Sequence, residues 1–403
     1  MGKDVVIVGG TRTPFVEYDG TSWGGQLRDF TAVELAGIAS KEALKRAKVD
    51  PRLVDHVVFG MGAQYSPDSM IAGRAVGLKA GVPIEVPAFT INKICASSVQ
   101  AVVCARQMIL LDEAEVVLCA GAESLSQAPF LVRGLRGGIR INQNFTLENA
   151  VWETLQDPVG GTGTGEMADR LAKEYHITRE ESDQFAYESQ MKAKAATESG
   201  RLAEEIVPIE IEKRGKTTTV DTDNHIRPDT TVEGLAKLRP GWTRDGVVTG
   251  GNASGLVDGG SACIVTSADK AQEQGWDIMG RVVSWGSAGV DPLLFGIAPV
   301  PSTDVALKRA GLTLEDLDLI EVNEAFATQV LAVIKIWGKG LEDIRDQLNV
   351  NGGAIALGHP FGATGIRMIM TILIELKKRG MRYGLVTMCI GGGQGMALIV
   401  ENT

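Results

Sequence analysis

Two hydrophobic periodicities take turns along the chain, and their order predicts strands and helices in alternation. Over 31–47, Ala32, Leu35, Ala36, Ala39, Ala43 and Ala47 fall at three- and four-residue steps, the stripe of a helix lying on a sheet. Residues 5–8, and 115–120 after its opening Glu115, are instead continuous apolar runs, as in parallel strands covered on both faces. The first half therefore reads strand 4–9, helix 31–47, strand 55–60, short helix 68–79, strand 86–91, helix 96–111 and strand 115–120. The second half repeats the order: strand 281–286, helix 302–310, strand 317–322, helix 325–338, strand 347–351, helix 362–379 and strand 383–388. Both halves are α/β layers.

The repetition extends to residue identities. Ala43-Leu44-Lys45-Arg46-Ala47 recurs as Ala306-Leu307-Lys308-Arg309-Ala310, and 12 residues after each first alanine comes an aspartate, Asp55 or Asp318. Two helical segments, 99–111 and 366–376, are apolar nearly all round and so are expected to be buried. They hold the same place in the two halves, which predicts that they pack together between two sheets. Cys95 and His359 precede them, so the duplication would bring residues 264 positions apart to one site. The stretch 125–250 has no counterpart. It is polar, helix-like over 166–199 and turn-rich around Asp223, Pro228 and Pro240-Gly241, and it reads as an insertion or lid. The chain divides accordingly into 1–124 (completed by 251–276), the insertion 125–250, and 277–403.

At 403 residues, 44% apolar and 22% charged, the chain can bury a large core. A net charge of −10 argues against nucleic acid as partner. Five cysteines spread from 95 to 389 argue against a disulfide framework and for a reducing compartment. No apolar run reaches membrane length, and neither terminus carries a secretory or peroxisomal signal. A cytoplasmic protein without membrane insertion is expected. No Cys or His pair has ligand spacing, so no metal site is expected.

Cys95 stands at a strand-to-helix transition, where a helix N-terminus and a nearby histidine can lower a thiol from its usual 8.5 or so. Its bland alternative is a buried apolar cysteine, the reading that fits Cys104, Cys119 and Cys263. His359, between Gly358 and Pro360 in a glycine-rich loop, is poorly placed for packing and is a candidate general base. His56, His176 and His225 read as structural. Cys389 ends an apolar strand before Gly391-Gly392-Gly393, where backbone N–H groups can approach a ligand. Alone it would read as a strand cysteine before a tight turn. Asn323 and Glu324 either orient a water or carbonyl or cap the following helix. The run from Gly160 to Gly165 lacks the lysine of a phosphate loop.

Together, Asn92-Lys93-Ile94-Cys95, Asn323-Glu324-Ala325-Phe326-Ala327, Gly358-His359-Pro360-Phe361-Gly362 and Cys389-Ile390-Gly391-Gly392-Gly393, with Asn252-Ala253-Ser254-Gly255, resemble the thiolase family in order and spacing over essentially the whole chain. The resemblance implies a thiolase-like fold: two duplicated mixed-sheet halves in five layers (α-β-α-β-α), with 125–250 as a loop domain covering the coenzyme A site. It implies Cys95 as the acylated nucleophile, His359 as its activator, Asn323 holding a water in one oxyanion hole, and Cys389 moving the α-carbon proton. The backbone N–H groups of Cys95 and Gly391 would form a second oxyanion hole. Arg227, Ser254, Ala325 and Phe326 would touch coenzyme A, with Arg227 near its adenosine end. Acetyl-CoA and coenzyme A would be substrates rather than permanently bound cofactors, and the oligomer would be a homodimer or homotetramer.

Three departures from the family pattern concern the acyl substrate more than the chemistry. Ala96-Ser97-Ser98 follows the nucleophile where x-Ser-Gly is usual, Gly163-Thr164 replaces a His-Met pair, and Gly234 replaces a serine. The alternatives are a non-catalytic acyl-CoA- or lipid-binding protein of the same fold and a ketosynthase-type condensing enzyme. The latter typically uses two histidines where this chain offers His359 and Cys389.

Overall fold

A computed structural model of the protein describes residues 3–18 and 25–403. The N-terminal half runs β1 (Val5–Arg12), α1 (Ala32–Ala47), β2 (His56–Gly60), α2 (Ala72–Lys79), β3 (Ala88–Ile91), α3 (Ser97–Leu110) and β4 (Val116–Glu123). The insertion carries α4 (Thr164–Glu174) and α5 (Arg179–Glu198), two helices where the pattern suggested one. They part at residues 175–178, where Thr178 caps α5 and accepts the Glu181 N–H. The chain then continues through β5 (Val257–Ser267), β6 (Gly280–Gly289), α6 (Pro299–Ala310), β7 (Leu319–Val322), α7 (Ala327–Ile336), α8 (Phe361–Arg379), β8 (Tyr383–Ile390) and β9 (Gln394–Glu401).

These strands form one mixed sheet in the order β7-β8-β9-β6-β1-β5-β4-β2-β3. It is two similar sheets joined at a narrow seam, since β1 and β6 pair only through Val6–Arg281 and Ile7–Gly280. On one side β2 is parallel to β4 and β3, while β5 runs antiparallel to both β4 and β1. On the other β7 is parallel to β8, and β9 runs antiparallel to both β8 and β6. A register shift breaks each half at the same place, between Ile7 and Gly9 on β1 and between Val282 and Ser284 on β6.

The repeated Ala-Leu-Lys-Arg-Ala ends α1 in one half and α6 in the other, each closed by a left-handed residue, Lys48 or Gly311. The repeated aspartates share one task. Asp55 Oδ2 accepts the N–H groups of Glu115 and Val116 at the start of β4. Asp318 Oδ2 accepts those of Arg382 and Tyr383 at the start of β8. The strand expected at 347–351 is not formed. It is reduced to a single parallel bridge between Leu348 and Ile320, because Asn349 turns left-handed at φ 43° and ends the extended run.

The two all-round apolar helices lie where the pattern put them. Val99, Val102 and Val103 of α3 and Ile366, Ile369 and Leu373 of α8 share one core cluster with Val58, Val117 and Val265 from one sheet and Val386, Met388 and Leu398 from the other. Helices α1 and α2 cover the outer face of the first sheet, and α6 and α7 that of the second. The five α-β-α-β-α layers follow. Close approach in the middle layer demands glycine: a Cβ on Gly121 of β4 would land on the Gly362 carbonyl, and one on Gly362 would land on that of Ala122. No helix among the described residues is long and apolar enough to cross a membrane.

Candidate active site

Cys95 sits in a tight turn between β3 and α3. Ile94 has φ 47°, an unusual conformation for a β-branched residue, which costs roughly 1–3 kcal/mol. Hydrogen bonds hold the turn. Asn92 Oδ1 accepts the Ile94 N–H at 3.0 Å, and its Nδ2 donates to the Gly62 carbonyl at 2.9 Å. The Ser97 hydroxyl donates to the Ile94 carbonyl at 2.7 Å and accepts the Lys93 N–H at 2.9 Å. Ser98, standing where a glycine is usual, accepts the Ile366 N–H at 3.1 Å and so ties α3 to α8.

His359 is buried, 3% exposed, in the loop before α8. Its own N–H donates to the Gly255 carbonyl at 2.9 Å. Gly358, at φ 89°, permits the turn against Val257. The ring's Nδ1 lies 2.7 Å from Thr364 Oγ1, its Nε2 lies 3.4 Å from Asn323 Nδ2, and the Phe361 ring stands edge-on at 5.1 Å. Burial, with the Arg367 guanidinium adding to it, pushes the imidazole down to about 3, so it is neutral at physiological pH. Arg367 is itself buried and paired with Glu321 at 2.8 Å, and burial lifts Glu321 to about 7 against that pairing.

One cleft contains Cys95, His359, Ser254, Ala325, Phe326 and Gly391. Cys389 backs its wall, buried on β8 and packed with Phe295, Ala325 and Phe326. Burial lifts the Cys95 thiol to about 12, while its own N–H and that of Gly391, both directed at the sulfur, pull the other way. Burial, followed by the neighbouring Cys95, also raises Cys389 well above the ordinary thiol range. At rest the site therefore holds two thiols and a neutral imidazole.

Arg227 is not in this cleft. It pairs with Glu17 at 2.7 Å beside a separate surface hollow that also contains Gly234. Glu324 does not cap α7, whose first turn has no side-chain cap. It is buried and accepts from Ser189, Asn349 and the Ile355 N–H.

Several cleft residues escaped the sequence reading. Leu155, Gln156 and Asp157 come from the insertion, and Phe295 comes from the turn before α6. Glu123, at the end of β4, accepts the N–H groups of Gly62, Ala63 and Gly362 below the cleft, and burial raises it to about 8. Asp157 carried one usable signal, since an aspartate before Gly160-Gly161 marks a side-chain-closed turn.

The family pattern for the thiolase N-terminal domain matches residues 5–269, and that for the thiolase C-terminal domain matches residues 276–402. The chain belongs to the thiolase family. It is 44% identical over 401 residues to the human mitochondrial 3-ketoacyl-CoA thiolase, covering 100% of this chain and 99% of the relative. It is equally similar, at 44% over 403 residues, to an acetyl-CoA acetyltransferase of Syntrophomonas wolfei, covering all of both chains. The crystal structure of human mitochondrial 3-ketoacyl-CoA thiolase matches with a TM-score of 0.95 at 44% identity, covering 100% of this chain and 99% of that one. The same human enzyme in complex with CoA matches at 0.94. This thiolase is an acyltransferase.

Proposed function

We propose that this thiolase runs a two-step acyl transfer through Cys95, with His359, Cys389, Asn323 and Gly391 in the roles the geometry suits. The observation that carries the reading is the meeting of Cys95, His359 and the Gly391 N–H in one cleft backed by Cys389.

In the cleaving direction, Cys95 attacks the 3-keto carbon as its proton passes to His359 Nε2. The N–H groups of Cys95 and Gly391 receive the developing oxyanion. The bond between the α- and β-carbons then breaks, leaving the acyl group on Cys95 and an acetyl-CoA enolate. A water on Asn323 and the protonated His359 stabilise that enolate, and the Cys389 thiol protonates it to release acetyl-CoA. A coenzyme A thiol next gives its proton to the Cys389 thiolate and attacks the acyl carbon. Cys95 leaves and recovers its proton from His359. The reverse sequence is the Claisen condensation of two acetyl-CoA molecules. The resting protonation, two thiols and a neutral imidazole, is the set from which both directions start.

Ser254, Ala325 and Phe326 line the cleft that would take the pantetheine arm, and Arg227, at a separate surface hollow, suits the adenosine end. The apolar walls from Ile94, Leu155, Pro158, Phe295 and Phe361 suit an acyl chain. Exposed Met70, Ile71 and Phe89 flank the free edge of β3, which supports self-association into a homo-oligomer, checked by light scattering. Five free cysteines suit a reducing compartment, and a fluorescent fusion would test the cytoplasm.

The central test is intact-protein mass after incubation with acetyl-CoA. One acetyl mass on the wild type and none on Cys95→Ala is expected, whereas acetylation of the alanine variant at another cysteine would overturn the assignment. Loss of 3-ketoacyl-CoA followed over a chain-length series then gives the preferred acyl group. A protein that binds these thioesters without turning them over would favour the non-catalytic reading.

A further inference from the structure

The glycine turn that carries the Gly391 N–H is held only in part by its own half of the molecule. Gly392 at φ 79° and Gly393 at φ 74° adopt conformations with little intrinsic preference for one backbone path. On one side the Gly393 carbonyl accepts the Val290 N–H at 2.7 Å. On the other, the Gly392 N–H donates to Asp157 Oδ2 at 2.8 Å, across 235 residues of sequence. The second oxygen of the same carboxylate accepts the N–H groups of Val159 and Gly160, each at 2.8 Å. Asp157 is 5% exposed and belongs to the insertion, where it forms part of the cleft wall. One carboxylate thus fixes both the insertion's turn and the backbone amide next to the proposed oxyanion donor.

We infer that Asp157 is a positioning residue for acyl transfer: through Gly392 it aims the Gly391 N–H at the carbonyl oxygen that becomes negative when Cys95 is acylated. Oxyanion donors are effective only when pre-aimed, and losing one costs on the order of 10²–10³ in rate. A carboxylate suits the task because it accepts from all three amides and has no proton to offer any of them. An asparagine of the same shape would present its own N–H groups to one of these donors. The inference rests on the reading that Cys95 is acylated, and it adds that the loop domain contributes to the oxyanion hole as well as covering the cleft.

The test is single-turnover acetylation by acetyl-CoA in wild type and Asp157→Asn, followed by intact mass, alongside calorimetric titration of coenzyme A. Acetylation of the variant at saturating acetyl-CoA should slow by about 10-fold or more, with coenzyme A affinity within about twofold of wild type. An unchanged acetylation rate would overturn the inference. A parallel collapse of rate and coenzyme A affinity would overturn it too, because it would mark Asp157 as a support of the whole cleft. Failure of the wild type to acetylate would instead remove the underlying reading, so the two failures are distinguishable.

Discussion

Asn323 Nδ2 lies 3.4 Å from His359 Nε2, and an amide nitrogen can only donate. With the amide in this orientation Nε2 is the accepting nitrogen, and Nδ1 carries the ring proton toward Thr364 Oγ1 at 2.7 Å. The Thr364 hydroxyl in turn points at the Pro360 carbonyl, 3.3 Å away. That chain leaves the unprotonated nitrogen at the Asn323 side.

His359→Ala should lower the turnover number by roughly 10²–10⁴ in a thiolysis assay. Asn323→Ala should cost on the order of 10²–10³ by removing an oxyanion support. Because the imidazole is held down near 3, activity should not fall through pH 6.5 as it would for an ordinary histidine base. A pH–rate profile with an acid limb near 6.5 that vanished in a His359 variant would contradict this.

Glu123 gives a stability signature with a definite sign. Its carboxyl is raised from 4.5 to about 8 in the folded protein, so the native state holds the extra proton between those values. Folding stability from this group is greatest below pH 4.5 and is lost as pH rises toward 8, by up to ~1.4 kcal/mol per pH unit. The melting temperature of Glu123→Gln relative to wild type should therefore climb from pH 5 to pH 8. A constant difference would show that Glu123 is ionised throughout.

Gly121→Ala should be costly despite its chemical modesty. The added methyl meets the Gly362 carbonyl at the start of α8, and separating those backbones costs roughly 1–3 kcal/mol by thermal or denaturant unfolding. Because α8 follows His359, the variant should also lose more activity than an equally destabilising change in α1.

Arg367→Met removes the partner of a buried carboxylate. Breaking such a pair costs roughly 3–5 kcal/mol when the remaining charge cannot neutralise. Glu321 sits near 7 even with its partner present, so below that pH it can take up a proton and soften the loss. Denaturant unfolding should show a larger penalty at pH 8 than at pH 5.5.

Much of this architecture was legible in the sequence because it depends on periodicity. The stripe on α1, the all-round apolar character of α3 and α8, and the matched Asp55 and Asp318 each declare a position in the fold through local residue type. The strand at 347–351 misled because its apolar residues resemble a strand, while the left-handed turn at Asn349 depends on tertiary hydrogen bonds. Asn349 Oδ1 accepts the Val322 N–H and its Nδ2 donates to the Val322 carbonyl, which replaces strand pairing with a side chain. Cys95, His359 and Cys389 stood out through their glycine-rich or helix-leading contexts. Glu123 did not, because a carboxylate gathering backbone amides from distant segments leaves no local pattern, and the local turn at Asp157 gave no sign of its bond to Gly392. Their partners lie up to 239 residues away.

The shortened second half governs how the sheet can grow. Its two ends are unequal: β3 offers a free edge, whereas beyond β7 the chain makes one bridge and turns away at Asn349. Two chains meeting edge to edge through β3 would form a closed pair with no second open edge of the same kind. The sheet therefore has two unlike ends, a free edge at β3 and a single bridge beside β7, in a molecule whose duplicated halves would otherwise present two similar ones.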